Sequence, residues 1–105
     1  MPILITPRQM EHRSDLYHQI GSMISAGLRL QQAVETLAQH PPSRFFRKPL
    51  LSLLSHLESG DTFVGAMKAS GAWMPAFDLS LLEAGERSGR LDECLRLLDR
   101  LDFRQ

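Results

Sequence analysis

Three short glycine-bearing turns, "SAGL" at 25–28, "ESGDT" at 58–62 and "RSGRL" at 87–91, separate stretches whose apolar residues recur at helical spacing. A glycine just past the last apolar position suits a helix end, because the residue there takes up the left-handed conformation that a Cβ makes costly. Connections this short force successive helices to fold back on one another. No stretch alternates with period two, so no sheet is predicted. The pattern predicts an all-α chain, an antiparallel bundle of about six helices built from three αα-hairpins.

The helix signals can be read in order. Thr6, Pro7 and Gln9 make a capping box with proline at the first helical position. The stripe Met10, Leu16, Tyr17, Ile20, Met23 and Ile24 follows, up to Ala26-Gly27. A second helix carries Leu30, Ala33, Val34, Leu37 and Ala38 and is stopped by Pro41-Pro42. Ser43 caps a third, with Phe45, Phe46, Leu50, Leu53, Leu54 and Leu57 inward and Pro49 kinking it or splitting off a short first turn. Asp61 or Thr62 caps a fourth, with Phe63, Ala66 and Met67 inward, closed by Gly71. Met74-Pro75 opens a fifth with Phe77, Leu81, Leu82 and Ala84 inward. The sixth runs from Leu91 through Cys94, Leu95, Leu98 and Leu101.

Totals exclude several functions. The chain has 105 residues, room for one domain with one modest core. Twelve basic residues balance twelve acidic ones, so no global field draws in nucleic acid or an anionic membrane. Composition, 43% hydrophobic and 23% charged, is that of a soluble globular protein. No apolar run is long enough for a membrane span, and "MPILITPRQ" lacks the basic and apolar regions of a signal peptide. The lone Cys94 forms no internal disulfide, which fits a reducing compartment.

Candidate chemistry is sparse. "GERSGR" at 85–90 has neither the spacing of a phosphate loop nor a strand before it. Asp92 and Glu93 fall in the first turn of the sixth helix and Arg87 in the last turn of the fifth, each where the helix dipole favours its charge. Glu83 and Glu86 stand where the dipole disfavours them. Arg87, Arg90, the first N–H groups of the sixth helix or a partner's cation are the expected offsets. His12, His18, His40 and His56 show no zinc-ligand spacing, and no activated nucleophile is apparent. In "SRFFRK" at 43–48, Arg44, Arg47 and Lys48 alternate with two phenylalanines. Such a mixture suits single-stranded nucleic acid or lipid headgroups. The plainer reading puts the rings in the core and the cations in water. Cys94 reads as a small core residue.

Three blocks resemble one family. "AGERSGRLDECLRLLDRL" at 84–101 is similar to a closing hairpin of the form A/V-G-E-x-S-G-x-L-x-x-x-L, matched by Gly85, Glu86, Ser88, Gly89, Leu91 and Leu95. "LYHQIGSMISAGLRLQQAVETLA" at 16–38 matches the opening pattern, and "LLSHLESGDTFVGAMKASGAWMPAFDLSLLEAGE" at 53–86 the middle. Together they resemble the F-domain of type II secretion and type IV pilus inner-membrane platform proteins, the GspF/PilC family with its T2SF domain.

The resemblance implies a six-helix bundle on the cytoplasmic face of the bacterial inner membrane. It implies one F-domain over residues 1–105, the N-terminal copy of a larger membrane protein, ending before its first span. It implies a non-enzymatic scaffold for protein transport and secretion with no catalytic residue, and no cofactor or metal ligand is assigned to any residue of this sequence. Its partners would be the secretion or pilus assembly ATPase, other machine components and further copies of itself, with no nucleic acid. Within the hairpin motif Gly85, Glu86, Ser88, Gly89 and Leu91 are expected to be structural. Arg44, Arg47, Lys48, Glu86, Arg87 and Arg90 are candidate partner contacts. The alternative is a free-standing helical adaptor or nucleic-acid-binding module, carried by the 44–48 cluster.

Overall fold

In a computed structural model the described residues, 7–71 and 74–103, form six α-helices and no strand. The side chains of residues 7–12, 102 and 103 fall outside the description, as does the predicted capping box of Thr6 and Gln9. The helices are α1 (Pro7–Ser25), α2 (Leu30–Gln39), α3 (Arg47–Glu58), α4 (Phe63–Ala69), α5 (Ala76–Ser88) and α6 (Leu91–Phe103), with a 3₁₀ turn at Arg44–Phe46.

Each helix packs on its neighbours in sequence, and α6 returns to α1, so the six close a ring around one core. The α1–α6 seam is the most extensive contact. It runs antiparallel: Ser25 meets Arg96 and His18 meets Asp99. Gly21 lets the two helices approach, since a Cβ there would sit 3.4 Å from the Leu95 Cβ.

All three predicted glycine turns are helix ends of one kind. Gly27, Gly60 and Gly89 have positive φ. The residue after each donates its N–H five residues back: Leu28 to Met23, Asp61 to His56 and Arg90 to Gly85. This is the Schellman arrangement, which satisfies carbonyls the helix leaves open. Pro49 behaves as the second of its two predicted outcomes. The 3₁₀ turn takes residues 44–46 and α3 starts after it, leaving Pro49 in the first turn, where a missing N–H costs little. Ser43 caps that 3₁₀ turn rather than α3, its hydroxyl accepting the Phe45 N–H at 3.3 Å.

The core joins Leu16, Tyr17 and Ile20 of α1 to Val34, Leu37, Leu50, Leu53, Phe63, Met67, Leu82, Leu95 and Leu98. Burying each leucine fully contributes roughly 1.5–3 kcal/mol before entropy is counted. Three predicted core positions depart from this. Phe77 is 65% exposed, because the inward position at the start of α5 belongs to Asp78. Leu101 lies at the open edge of α6, 41% exposed, and Ala84 also faces outward.

Candidate functional site

The hairpin that joins α5 to α6 concentrates the unusual residues, and each has a definable task. Gly89 has φ 75°, a backbone conformation that disfavours side chains. Its N–H and that of Arg90 return to the carbonyls of Glu86 and Gly85, ending α5. Ser88 turns its hydroxyl back onto the Ala84 carbonyl at 2.9 Å. Leu91 then packs against the core from the first position of α6.

Gly85 is buried at the closest approach of the two helices. A Cβ there would lie 2.6 Å from the Cys94 Sγ, 3.0 Å from the Cys94 Cβ and 3.1 Å from the Arg90 carbonyl oxygen. Two of these are backbone or near-backbone atoms that cannot swing aside. Glycine is required by contact here, not by φ.

Glu86 lies half-buried on the same turn. Its carboxylate accepts the N–H of Phe63 at 2.5 Å and of Val64 at 3.2 Å. These are the first two N–H groups of α4, which no helix bond can satisfy. The third, from Gly65, goes to the Thr62 hydroxyl at 3.0 Å, so Thr62 rather than Asp61 is the cap. Charge-assisted bonds from an anion to a helix start are among the stronger kinds. The offset foreseen for Glu86 therefore comes from α4 and not from α6 or an arginine. Glu83 is offset differently, by Lys68 at 3.5 Å and Arg87 at 3.4 Å. Asp61 pairs with His56 at 3.2 Å.

Sequence reasoning missed a second polar cluster. Arg13 and Tyr17, one turn apart on α1, meet Asp78 in the first turn of α5. Tyr17 donates its hydroxyl to Asp78 Oδ2 at 2.6 Å, and Arg13 Nε lies 3.1 Å from the same oxygen. Arg13 and Asp78 are 4% and 3% exposed, so the charges are compensated within the protein. The available signal was an arginine four residues before a buried tyrosine, with an aspartate interrupting "AFDLSLL".

Cys94 is half-buried on α6, and loss of solvent, reinforced by Glu93 and Asp92, pushes its thiol above the ordinary value. It faces Gly85 as a packing partner, and its thiolate is disfavoured.

The basic residues fall on separate surfaces. Arg87 and Arg90 are exposed at the α5–α6 turn. Arg44, Arg47 and Lys48 are exposed together around the 3₁₀ turn and the start of α3. Phe46 is fully buried, and Phe45, half-buried, packs edge to face against it with centroids 5.3 Å apart while lining a pocket beside Arg44, Arg47 and Lys48. One partly covered ring is a poor platform for stacking successive bases. Among the described residues, no group of three or more His, Cys, Asp or Glu side chains converges as a metal site would require. No described helix is long and apolar enough to cross a membrane.

Comparison with known proteins places this geometry. The family model for type II secretion system (T2SS) protein F matches residues 16–101. A protein transport protein HofC homolog of Escherichia coli K12 is 32% identical over 81 residues, 77% of this chain and 20% of that protein. The type IV pilus assembly protein PilC of Myxococcus xanthus is 36% identical over 80 residues, 76% of this chain and 19% of that protein. PilC of Thermus thermophilus is 35% identical over 83 residues, 79% of this chain and 20% of that protein. The chain thus spans about a fifth of the length of these relatives. With a matched region that takes in α2 to α5 whole, the second half of α1 and nearly all of α6, the chain belongs to the type II secretion system protein F family.

Proposed function

We propose that residues 1–105 form one non-enzymatic scaffold domain of the inner-membrane platform of a type II secretion or type IV pilus machine. The domain couples the cytoplasmic assembly ATPase to extension of the pilus or pseudopilus through protein–protein contacts. It is the N-terminal copy in a membrane-embedded parent, lies at the cytoplasmic face, and works as a homodimer or larger ring. The relatives' roles in type IV pilus assembly and protein transport support this reading.

The observation that carries it is the Glu86 carboxylate on the first two N–H groups of α4. The most distinctive acid of the hairpin is used to fasten α5 to the start of α4. A body fastened in this way passes a push from one face to another with little internal give. The candidate contact surfaces are Arg44, Arg47 and Lys48 at one turn, and Glu86, Arg87 and Arg90 at the other.

The test is charge reversal at both turns in cells, R44E/R47E/K48E combined with R87E/R90E, leaving the structural Glu86 in place. Secretion or pilus assembly is expected to fall while the amount of protein is unchanged. Undiminished assembly at normal protein level would overturn the reading.

A further inference from the structure

We propose that Arg44, Arg47, Lys48 and Leu51 form the bilayer-facing patch of this domain and dock on anionic phospholipid headgroups. The inference rests on the reading that the parent protein is membrane-embedded, and it assigns which side of the bundle meets the lipid. It begins with an asymmetry of charge in a chain whose net charge is zero. From Thr36 to Leu57 there is no aspartate or glutamate, and the Lys and Arg residues of that stretch are Arg44, Arg47 and Lys48.

All three are exposed, and none takes part in the ion pairs of the described residues. Elsewhere Arg13, Lys68, Arg87 and Arg96 each face a carboxylate. Of the other exposed arginines outside those pairs, Arg90 is followed by Asp92 and Glu93, Arg100 is flanked by Asp99 and Asp102, and Arg29 has no second cation near it in sequence. Arg47 and Lys48 also stand on the first turn of a helix, whose dipole is already positive, so the fold gains nothing by holding them there.

Leu51 decides what kind of anion fits. It lies one turn along α3, and at about 100° per residue it projects between Arg47 and Lys48. It is 50% exposed. An apolar side chain framed by cations is the makeup of a helix face that rests on a membrane, headgroups pairing with the cations and the leucine entering the acyl boundary. The next acid on that face, Glu58, is seven residues further, roughly 10 Å along the helix. An acidic protein segment would satisfy the cations but leave Leu51 in water. A single-stranded nucleic acid would need successive open rings to stack on, and Phe46 is fully buried.

Each cation near an anionic surface strengthens binding about fivefold, so the three together are worth roughly a hundredfold. Such an attraction is modest for a free domain and effective for one tethered beside the bilayer.

The test is co-sedimentation of the 105-residue chain with vesicles of phosphatidylethanolamine and phosphatidylglycerol at low salt, against vesicles of phosphatidylcholine alone. Binding to the anionic vesicles is expected, weakening steeply with salt. R44Q/R47Q/K48Q should lose roughly a hundredfold in partitioning and Leu51→Ser about threefold. K68Q/R96Q/R100Q, which removes the same charge elsewhere, should stay within about twofold. Circular dichroism of each variant separates lost binding from lost fold. Equal loss in the two triple variants, equal binding to neutral vesicles, or no binding to anionic ones overturns the proposal. Capture of poly-glutamate in place of vesicles overturns it too, and turns the patch toward an acidic protein. A failure here leaves the assembly reading standing, with Arg44, Arg47 and Lys48 then contacting a protein partner; R87E/R90E alone, which leaves this patch intact, tests that reading separately in cells.

Discussion

Glu86, in the last turn of α5, accepts the backbone N–H of Phe63 at the first position of α4, 2.5 Å away and 23 residues earlier in the chain. One side chain thereby answers two electrostatic problems. A carboxylate near a helix C-terminus is disfavoured, and so are the open N–H groups at the start of a seven-residue helix. Setting one against the other relieves both, and fixes the angle at which α4 meets α5.

Glu86→Ala should therefore cost about 2 kcal/mol, since two half-buried N–H groups lose a charged acceptor. Glu86→Gln keeps one acceptor oxygen and should cost about half as much. Urea denaturation of both variants gives the comparison. A Glu86→Ala protein as stable as the parent would show that water replaces the carboxylate without loss.

The Gly85–Cys94 contact makes a prediction that a positive φ would not. Gly85→Ala puts a methyl group 2.6 Å from the Cys94 Sγ and 3.1 Å from the Arg90 carbonyl oxygen. Overpacking of this kind costs about 1–3 kcal/mol. Adding Cys94→Ala removes the Sγ clash but leaves the Cβ and the carbonyl, so the double variant should recover part of the loss. A thermodynamic cycle over the four proteins reads the coupling directly. Strict additivity would mean that α6 shifts bodily and the sulfur is not the obstacle.

Much of this was open to inspection in the chain. The helices were legible because each ends in a local signal, a glycine at C′, a proline or a capping hydroxyl, and local signals survive folding. What stayed hidden depends on partners distant in sequence. Glu86 was legible as an anomaly but its solution was not, because the start of α4 lies 23 residues earlier and comes near it only when α4 packs on α5. Phe77 was placed inward by its apolar character. Asp78 holds that position instead, since a buried Arg13 and Tyr17 demand an acceptor there. Leu51 stands outside the predicted inward set of "PLLSLLSHL", and it is half-exposed on α3.

The Cys94 thiol is held above its ordinary pKa of 9.0 by burial first and by Glu93 and Asp92 next, with Arg90 opposing. Its neutral form is thus preferred in the folded state. The sign follows from linkage: this preference is fully present below the unfolded thiol's pKa, and stability falls as pH rises through and above it. At pH 8 the native protein should react with a thiol reagent more slowly than the urea-unfolded chain. Reaction at the unfolded rate would place Cys94 in open solvent. A stability profile that rises above pH 9 would contradict the direction of the shift.

The Arg13–Tyr17–Asp78 cluster gives the largest expected effect. Asp78→Ala removes a carboxylate from a guanidinium that is 4% exposed, and breaking a buried pair in this way costs about 3–5 kcal/mol. Tyr17→Phe removes one hydrogen bond and leaves the ion pair intact, so about 1–2 kcal/mol is expected, some of it from the contact of the hydroxyl with Met74 Sδ at 3.0 Å. The order of the two losses is the informative quantity. If the charge pair is the fastening between α1 and α5, Asp78→Ala is the worse by at least about 1 kcal/mol in equilibrium unfolding. In that case amide exchange should also quicken first in the opening turn of α5, where Asp78 sits, before it quickens at the α1–α6 seam. Equal losses would instead make the tyrosine hydroxyl the main link, with Arg13 satisfied well enough by its other surroundings to tolerate the missing acid.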